Sequence, residues 1–377
     1  MPKKEFTNYR EKKTHDMNMK ISEMRDKLPE FCESYFNHIS RLKPNTQLSY
    51  ATDLLEFFIF LEDRFAELSD IPIKSLSVSC LELPKRNDID RWLTGLKKTC
   101  FNSDKSMYKV NCSPATQKRK LACLKAFYRF YLLSDDESER ITNDPVSLVK
   151  LKPIDQGEVL YMRNNEIRDF MDNVETREFF NEEKLQEESG KISKNREIVW
   201  SEKNEIRDAA ICMLILSTGI RVSECAGLDV GDIDLKAGTI RIYRKGHDKD
   251  SIVLLGDKAQ SYIKTYLEYG RPAYLPENEA SMEEIDRNAL WLTRFHKRMG
   301  VPALQRMVKK YEKDSVHKGI TFHKLRSTFG TEMAKKNGLK KAQVALGHSS
   351  PTTTSRFYVA VDEEEMREAY RKVEEDL

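Results

Sequence analysis

The chain has 377 residues, and 33% of them are charged, yet 64 Lys and Arg against 61 Asp and Glu leave a formal charge of only +3. That balance excludes a protein that coats nucleic acid by bulk positive charge, so any surface for a polyanion must come from segregated charge. Seven cysteines, Cys32, Cys80, Cys100, Cys112, Cys123, Cys212 and Cys225, are scattered with no C-x-x-C pair and read as reduced core thiols of a reducing compartment. No stretch approaches the ~18 apolar residues of a membrane span, and the polar start MPKKEFTNYREKKTHD lacks an apolar signal segment. A soluble, cytoplasmic protein with two separate cores is therefore expected.

Residues 1–22 form a polar N-terminal segment, and 23–149 read as an all-helical domain. In NTQLSYATDLLEFFIFLED, Leu48, Ala51, Leu55 and Phe58 lie at helical spacing behind Asn45 or Thr46 as candidate N-caps. Ser113-Pro114 opens another helix, a cap followed by Pro at the first helical position. Its apolar stripe is Leu121, Leu124, Phe127 and Tyr131, with Lys118, Arg119, Lys120, Lys125 and Arg129 mostly off it. Such a basic run is by default a solvated face.

The stretch NDPVSLVKLKPIDQG, with two prolines and a closing glycine, breaks the pattern and places a linker at 150–157. A second domain then spans 158–377. Near its start, residues 176–203 are highly charged and read as an exposed insertion before the apolar helix of Asp208 to Leu216. The run LSTGIRVSECAGLDV places Arg221 where one helix ends and another begins, three residues before Glu224, an ordinary intrahelical ion-pair spacing. From Thr239 to Leu255 the alternation TIRIYRKGHDKDSIVLL predicts a β-hairpin, with Lys245 where the first strand meets the turn and Lys249 as its competitor. Farther on, His323, Leu325 and Arg326 share one turn of a helix continuing through Phe329 and Met333. LGHSS carries His348, and RFY ends on Tyr358. Read singly, each is ordinary: surface polarity, a helix C-cap at Gly347-His348, a core aromatic.

Together they suit attack on a phosphodiester by a phenolic oxygen. A pentavalent phosphorane adds charge to an already anionic group, so a catalyst without metal needs fixed cations and donors around the non-bridging oxygens. Guanidinium serves best, being permanently charged and able to fork onto two oxygens. A tyrosine hydroxyl, with a free pKa of ~10, needs a base or strong positive charge nearby, and His323 suits that role. The leaving 5′-hydroxyl needs a proton, and a lysine is a suitable acid.

The ordered set Arg221, Lys245, His323 with Arg326, His348 and Tyr358, with 348 − 326 = 22 and 358 − 348 = 10 residues between its last parts, resembles the signature of tyrosine recombinases. The Lys245-Gly246 pair matches that family's hairpin lysine. Ser327 departs from the histidine that many members carry after the second arginine. The resemblance implies a mainly α fold with a small β-sheet: a SAM-like, helical core-binding domain joined to a catalytic domain. Thr46, Tyr50 and Phe58, then Thr116 through Tyr128, support the match in the first domain. It implies a 3′-phosphotyrosyl intermediate on Tyr358, Arg221 and Arg326 on the phosphorane, Lys245 as acid, His323 assisting Tyr358, His348 donating to phosphate, and no metal or cofactor.

It further implies double-stranded DNA as partner, gripped in part through Lys43, Lys118, Arg119, Lys120 and Arg129, and a tetramer on two duplexes. The tail VDEEEMREAYRKVEEDL, with Val361, Met366, Ala369, Tyr370 and Val373 on one face, would dock as a helix (about 362–375) on a neighbouring protomer. The RKG turn, the charged insertion and ALWLTRFHKRMGVPALQRMVKKYEKD are similar to the XerS type of single-protein Xer recombinases. Chromosome dimer resolution and integration of a mobile element both stay open, as does an accessory protein. Rival readings are a metal-dependent nuclease, for which the seven histidines show no ligand spacing, a type IB topoisomerase, and a non-catalytic DNA-binding protein on the same scaffold.

Overall fold

The computed structural model describes residues 6, 8–101, 107–153, 159–175, 200–244, 250–313, 319–348 and 370–371. They fall into two compact units, residues 10–156 and residues 157–377 with the first nine.

The first unit contains α1 (Tyr9–Arg25), α2 (Cys32–His38), α3 (Pro44–Arg64), α4 (Arg86–Gly95) and α5 (Pro114–Leu132). Its core is an aromatic seam between α3 and α5. On α3 the buried apolar positions are Ala51, Leu54, Phe57, Phe58 and Leu61, and on α5 they are Leu121, Cys123, Leu124, Phe127, Tyr128 and Tyr131. Phe127 meets Tyr35 and Tyr131 edge to face at 5.0 and 5.1 Å, and Phe57 meets Trp92 at 5.2 Å. Each such ring contributes about 1.5–3 kcal/mol by burial alone, so the seam, not helix propensity, sets how these helices pair. Two of the three buried tyrosines satisfy their hydroxyls on backbone: Tyr131 donates to the Phe31 carbonyl at 2.7 Å and Tyr128 to that of Leu81 at 3.1 Å, whereas the Tyr35 hydroxyl has no partner among the described residues.

Ser113 caps α5 as its sequence predicts, its hydroxyl accepting the Thr116 N–H at 3.3 Å with Pro114 in the first turn. The start of α3 differs from expectation. The helix begins at Pro44 behind Lys43, so Asn45 and Thr46 lie inside the first turn and do not cap it. Pro44 imposes this, because its fixed φ suits the first helical position and its missing N–H costs nothing there. A second difference is a two-stranded antiparallel pair, β1 (Lys97–Phe101) and β2 (Met107–Asn111), within a domain expected to be all helical. Thr, Phe, Tyr and Val supply strand formers there, but without the clean alternation that announces a half-buried strand.

Lys120 corrects a third expectation. It is only 4% exposed, and its ammonium donates to Asp53 Oδ1 and Glu56 Oε2, both at 2.8 Å, while Arg119 also pairs with Asp53, itself 1% exposed. A carboxylate on the buried face of α3 needs cations on α5, and that need turns Lys120 inward, away from any polyanion. Lys43, Lys118, Arg119 and Arg129 are exposed.

In the second unit the central helix is α7 (Trp200–Thr218), which therefore takes in the last residues of the charged stretch as well as the apolar run. Preceding it is α6 (Asn164–Val174), and following it are the short α8 (Val222–Cys225), β3 (Ile233–Asp234), β4 (Thr239–Ile242), β5 (Ser251–Leu254), α9 (Asp257–Thr265), α10 (Glu284–Arg287), α11 (Val301–Lys313), α12 (Phe322–Asn337) and α13 (Leu339–Leu346). Ile206, Ala209 to Cys212, Leu214 and Ile215 bury α7 on nearly all sides, and both α9 and α12 pack on it. The three strands form an antiparallel sheet in the order β3-β4-β5, with Thr239 opposite Leu254 and Ile242 opposite Ser251. This is the hairpin read from the sequence. Residues 154–158, most of the charged stretch, the hairpin turn 245–249 and nearly all of the tail after His348 lie outside the described residues.

Replacing Lys120 by Ala should lower the unfolding free energy of the helical unit by about 3 kcal/mol, the low end for an orphaned buried charge because Arg119 still faces Asp53. Urea unfolding of the full chain measures this, with Lys118→Ala as control at no more than about 0.5 kcal/mol. Equal losses in the two variants would remove the buried carboxylate as the cause.

Candidate active site

Two helix ends and two short motifs converge in the second unit. α7 ends at Gly219, whose φ of +62° closes the helix in the left-handed region. A Cβ at that position would sit 2.3 Å from Phe329 Cδ1, so close packing of α12 also demands glycine. Two residues later Arg221 opens α8. Its N–H donates to Glu224 Oε2 at 2.7 Å and its Nη1 to Glu224 Oε1 at 2.8 Å, a capping box that leaves the guanidinium 42% exposed while the carboxylate is buried. The ion pair that the sequence allowed does form, and it holds Arg221 at the site.

α12 begins at Thr321, whose hydroxyl accepts the Lys324 N–H at 3.1 Å. His323 is exposed in the first turn, and Arg326, one turn on, is 6% exposed. The Arg326 guanidinium donates to the Gly219 carbonyl at the end of α7. Through Nη2 it donates to the Leu346 carbonyl at 2.9 Å and to His348 Nε2 at 3.1 Å. Burial first, then the Arg221 and Arg244 cations, lower its pKa from 12.5 to about 10, with Glu224 opposing them. It stays protonated at neutral pH.

His348 follows Gly347, which ends α13 with a φ of +63°. Burial, then Arg326, Arg221, Arg244 and His323, lower its pKa from 6.5 to about 4. The ring is therefore neutral near pH 7. A guanidinium has no acceptor, so Nε2 is the accepting nitrogen and the ring proton sits on Nδ1.

The structure thus brings Arg221, His323, Arg326 and His348 together, from segments more than a hundred residues apart. Lys245 and Tyr358 lie outside the described residues. Arg244 was missed by sequence reasoning although it faces the same cluster. The signal was present: on β4, Ile240 and Ile242 are buried and Arg241 is exposed, and the same alternation past the strand end turns Tyr243 out and Arg244 in. Three arginines against Glu224 leave the cluster with a net positive charge in a partly dehydrated setting, which suits a phosphodiester and its more negative transition state. Among the described residues no three His, Cys, Asp or Glu side chains gather into a metal-sized group, and no helix is long and apolar enough to cross a membrane.

The sequence model of the phage integrase family matches residues 161–365, more than half of the chain. The chain belongs to this family of tyrosine recombinases. It is 29% identical over 334 residues to the tyrosine recombinase XerC of Chlorobaculum tepidum, an alignment covering 87% of this chain and 88% of the relative. To the tyrosine recombinase XerS of Streptococcus pyogenes serotype M5 it is 28% identical over 346 residues, 85% of this chain and 88% of that one. Among solved structures it resembles the XerH site-specific recombinase bound to palindromic difH substrate in a post-cleavage complex, with a TM-score of 0.57 at 21% identity over 87% of this chain and 78% of that one. The Tn1549 transposon integrase in complex with transposon right end DNA gives 0.55 at 19% identity, over 90% and 97%. These likenesses establish the fold of a helical core-binding domain followed by a recombinase catalytic domain. The recombinase is an enzyme of DNA strand cleavage and rejoining.

Two outcomes follow for the His348 turn. Since the folded-state pKa lies below the ordinary value, the unfolded chain binds the extra proton between pH 6.5 and about 4. The contribution of His348 to stability is therefore complete above pH 6.5 and is lost as pH falls through that window. Thermal unfolding of the DNA-free protein across it should flatten in His348→Gln, and an unchanged slope would refute the half-buried neutral ring. Gly347→Ala would place a Cβ 1.8 Å from Arg244 Nη1 in a left-handed conformation, at a cost of at least about 1 kcal/mol, and should slow DNA cleavage. Wild-type cleavage by Gly347→Ala would show that this close approach is dispensable.

Proposed function

We propose that Tyr358 is the nucleophile of this recombinase and that Arg221, Arg326, His348, Lys245 and His323 form its catalytic set. The buried Arg326 joined to His348, with Arg221 beside them, is the observation that carries this reading: it is a fixed, positively charged cradle for one phosphate. The Tyr358 oxygen bonds to phosphorus as the 5′-oxygen leaves. His323 takes the phenolic proton and Lys245 gives one to the leaving oxygen. The products are a 3′-phosphotyrosyl bond and a free 5′-hydroxyl. A partner strand's 5′-hydroxyl then attacks that bond and Tyr358 departs with a proton. One phosphoester bond is exchanged for another at each step, so no metal or nucleotide cofactor is consumed.

Lys43, Lys118, Arg119 and Arg129, all exposed, are the proposed phosphate contacts of the helical unit on a short core site in duplex DNA. The assembly would be a tetramer on two duplexes, linked by the tail helix at about 362–375, acting on chromosomal DNA in the cytoplasm. An Xer-like role in resolving chromosome dimers is supported by the similarity to XerC and XerS across most of both chains. A comparable fold in a transposon integrase favours, second, integration or excision of a mobile element.

Tyr358→Phe should bind core-site DNA with unchanged affinity and form no covalent adduct, with or without EDTA. An adduct that survives this change would overturn the assignment. Sequencing the 3′ ends of Tyr358-dependent adducts trapped in cells separates the two roles: a single chromosomal locus indicates dimer resolution, and ends at an element's borders indicate integration.

A further inference from the structure

We propose that Arg244 is a positioning residue that holds the turn carrying His348, and that it acts on cleavage through that histidine. The inference rests on the reading of His348 as a phosphate ligand.

A helix leaves its last four carbonyls without intrahelical partners, and here every one at the end of α13 is accounted for. Gln343 receives the His348 N–H at 3.1 Å and Val344 the Gly347 N–H at 3.0 Å. Leu346 receives Arg326 at 2.9 Å. The remaining carbonyl, Ala345, receives Arg244 Nη2 at 2.8 Å, and Arg244 Nη1 also leans on Val344 at 3.4 Å. Two guanidiniums therefore sit at the negative end of one short helix, where cations are favoured.

Arg244 does more than neutralise that end. It is 7% exposed, and its guanidinium lies so near Gly347 that even a methyl group there would overlap its Nη1 and Cζ. The backbone turn that aims His348 thus rests on the flat face of Arg244. Its Nε is buried with no hydrogen-bond partner among the described residues. Without Arg244, the Ala345 carbonyl loses its partner and the Gly347-His348 turn loses its floor, while Arg326 keeps its own bonds to Gly219 and Leu346. Lysine cannot substitute: its ammonium can reach one carbonyl but has no plane to place under the glycine.

The test uses the full chain and two readouts. In the DNA-free protein, NMR titration of the His348 ring follows its placement directly. Arg244→Lys should move its midpoint up toward the ordinary value by more than about one pH unit as the ring leaves Arg326. An unmoved midpoint overturns the proposal whether or not the catalytic reading is right. On nicked duplex carrying the site mapped from cellular adducts, Arg244→Lys should slow covalent cleavage by at least about tenfold with unchanged DNA affinity, within the range attributable to one positioned catalytic group. In a His348→Ala background the same change should cost less than about twofold. A full, multiplicative loss in that background would mean that Arg244 acts elsewhere. Arg244→Ala is the more drastic variant; should it fail to fold, Arg244→Lys decides alone. If His348→Ala cleaves like wild type, the reading of His348 falls, independently of the NMR result.

Discussion

The catalytic unit depends on one buried guanidinium. Arg326 joins the end of α7 to the end of α13 by donating to the carbonyls of Gly219 and Leu346. Burying a charge is costly unless its donors are matched, and the match here is made by helix C-termini, whose carbonyls carry a partial negative charge along the helix dipole. The glycines that close both helices are part of the same solution. Each turns the chain sharply enough, with φ near +60°, to leave the terminal carbonyls pointing at the arginine.

The two units show two ways of burying a cation, and the difference separates structure from chemistry. In the helical unit Lys120 meets full carboxylates, Asp53 and Glu56, and its charge is cancelled where it sits. In the catalytic unit Arg326 and Arg244 meet carbonyl dipoles, which accept from their terminal Nη groups but remove none of their unit charge. Among the described residues, the carboxylate that offsets the cluster is Glu224. The same field also depresses the His348 pKa and keeps its ring neutral, so one arrangement stores positive charge and fixes a tautomer.

Much of this was legible in the chain. The Ser113-Pro114 cap, the hairpin from Thr239 to Leu255 and the one-turn spacing of His323 and Arg326 are local signals with local causes, and they survive folding unchanged. What was not legible depended on partners distant in sequence. Lys120 reads as one more basic residue on a solvated face until Asp53, 67 positions away, is seen to be buried. The aromatic seam on α3 centres on Leu54 and Phe57, because the position of α5 decides which stripe is inside. Arg244 carries no motif of its own in the sequence, although the period of two that marks β4 assigns it to the inner face. The alternation that marks the strand runs two residues past its end, through the exposed Tyr243 to the buried Arg244.

The 6% exposure of Arg326 separates the effects of salt on the two halves of the enzyme's task. Mobile ions screen charges they can surround, with a Debye length of about 10 Å at 0.1 M, and reach buried ones poorly. The proposed DNA-facing residues, Lys43, Lys118, Arg119 and Arg129, stand in solvent, so ionic strength governs how often a duplex is captured. At the proposed phosphate site two of the three arginines, Arg326 and Arg244, are charges that folding has already dehydrated. Capture is therefore tunable by the cell's ionic conditions, while bond exchange, once the duplex is seated, proceeds in an electrostatic setting of the protein's own making.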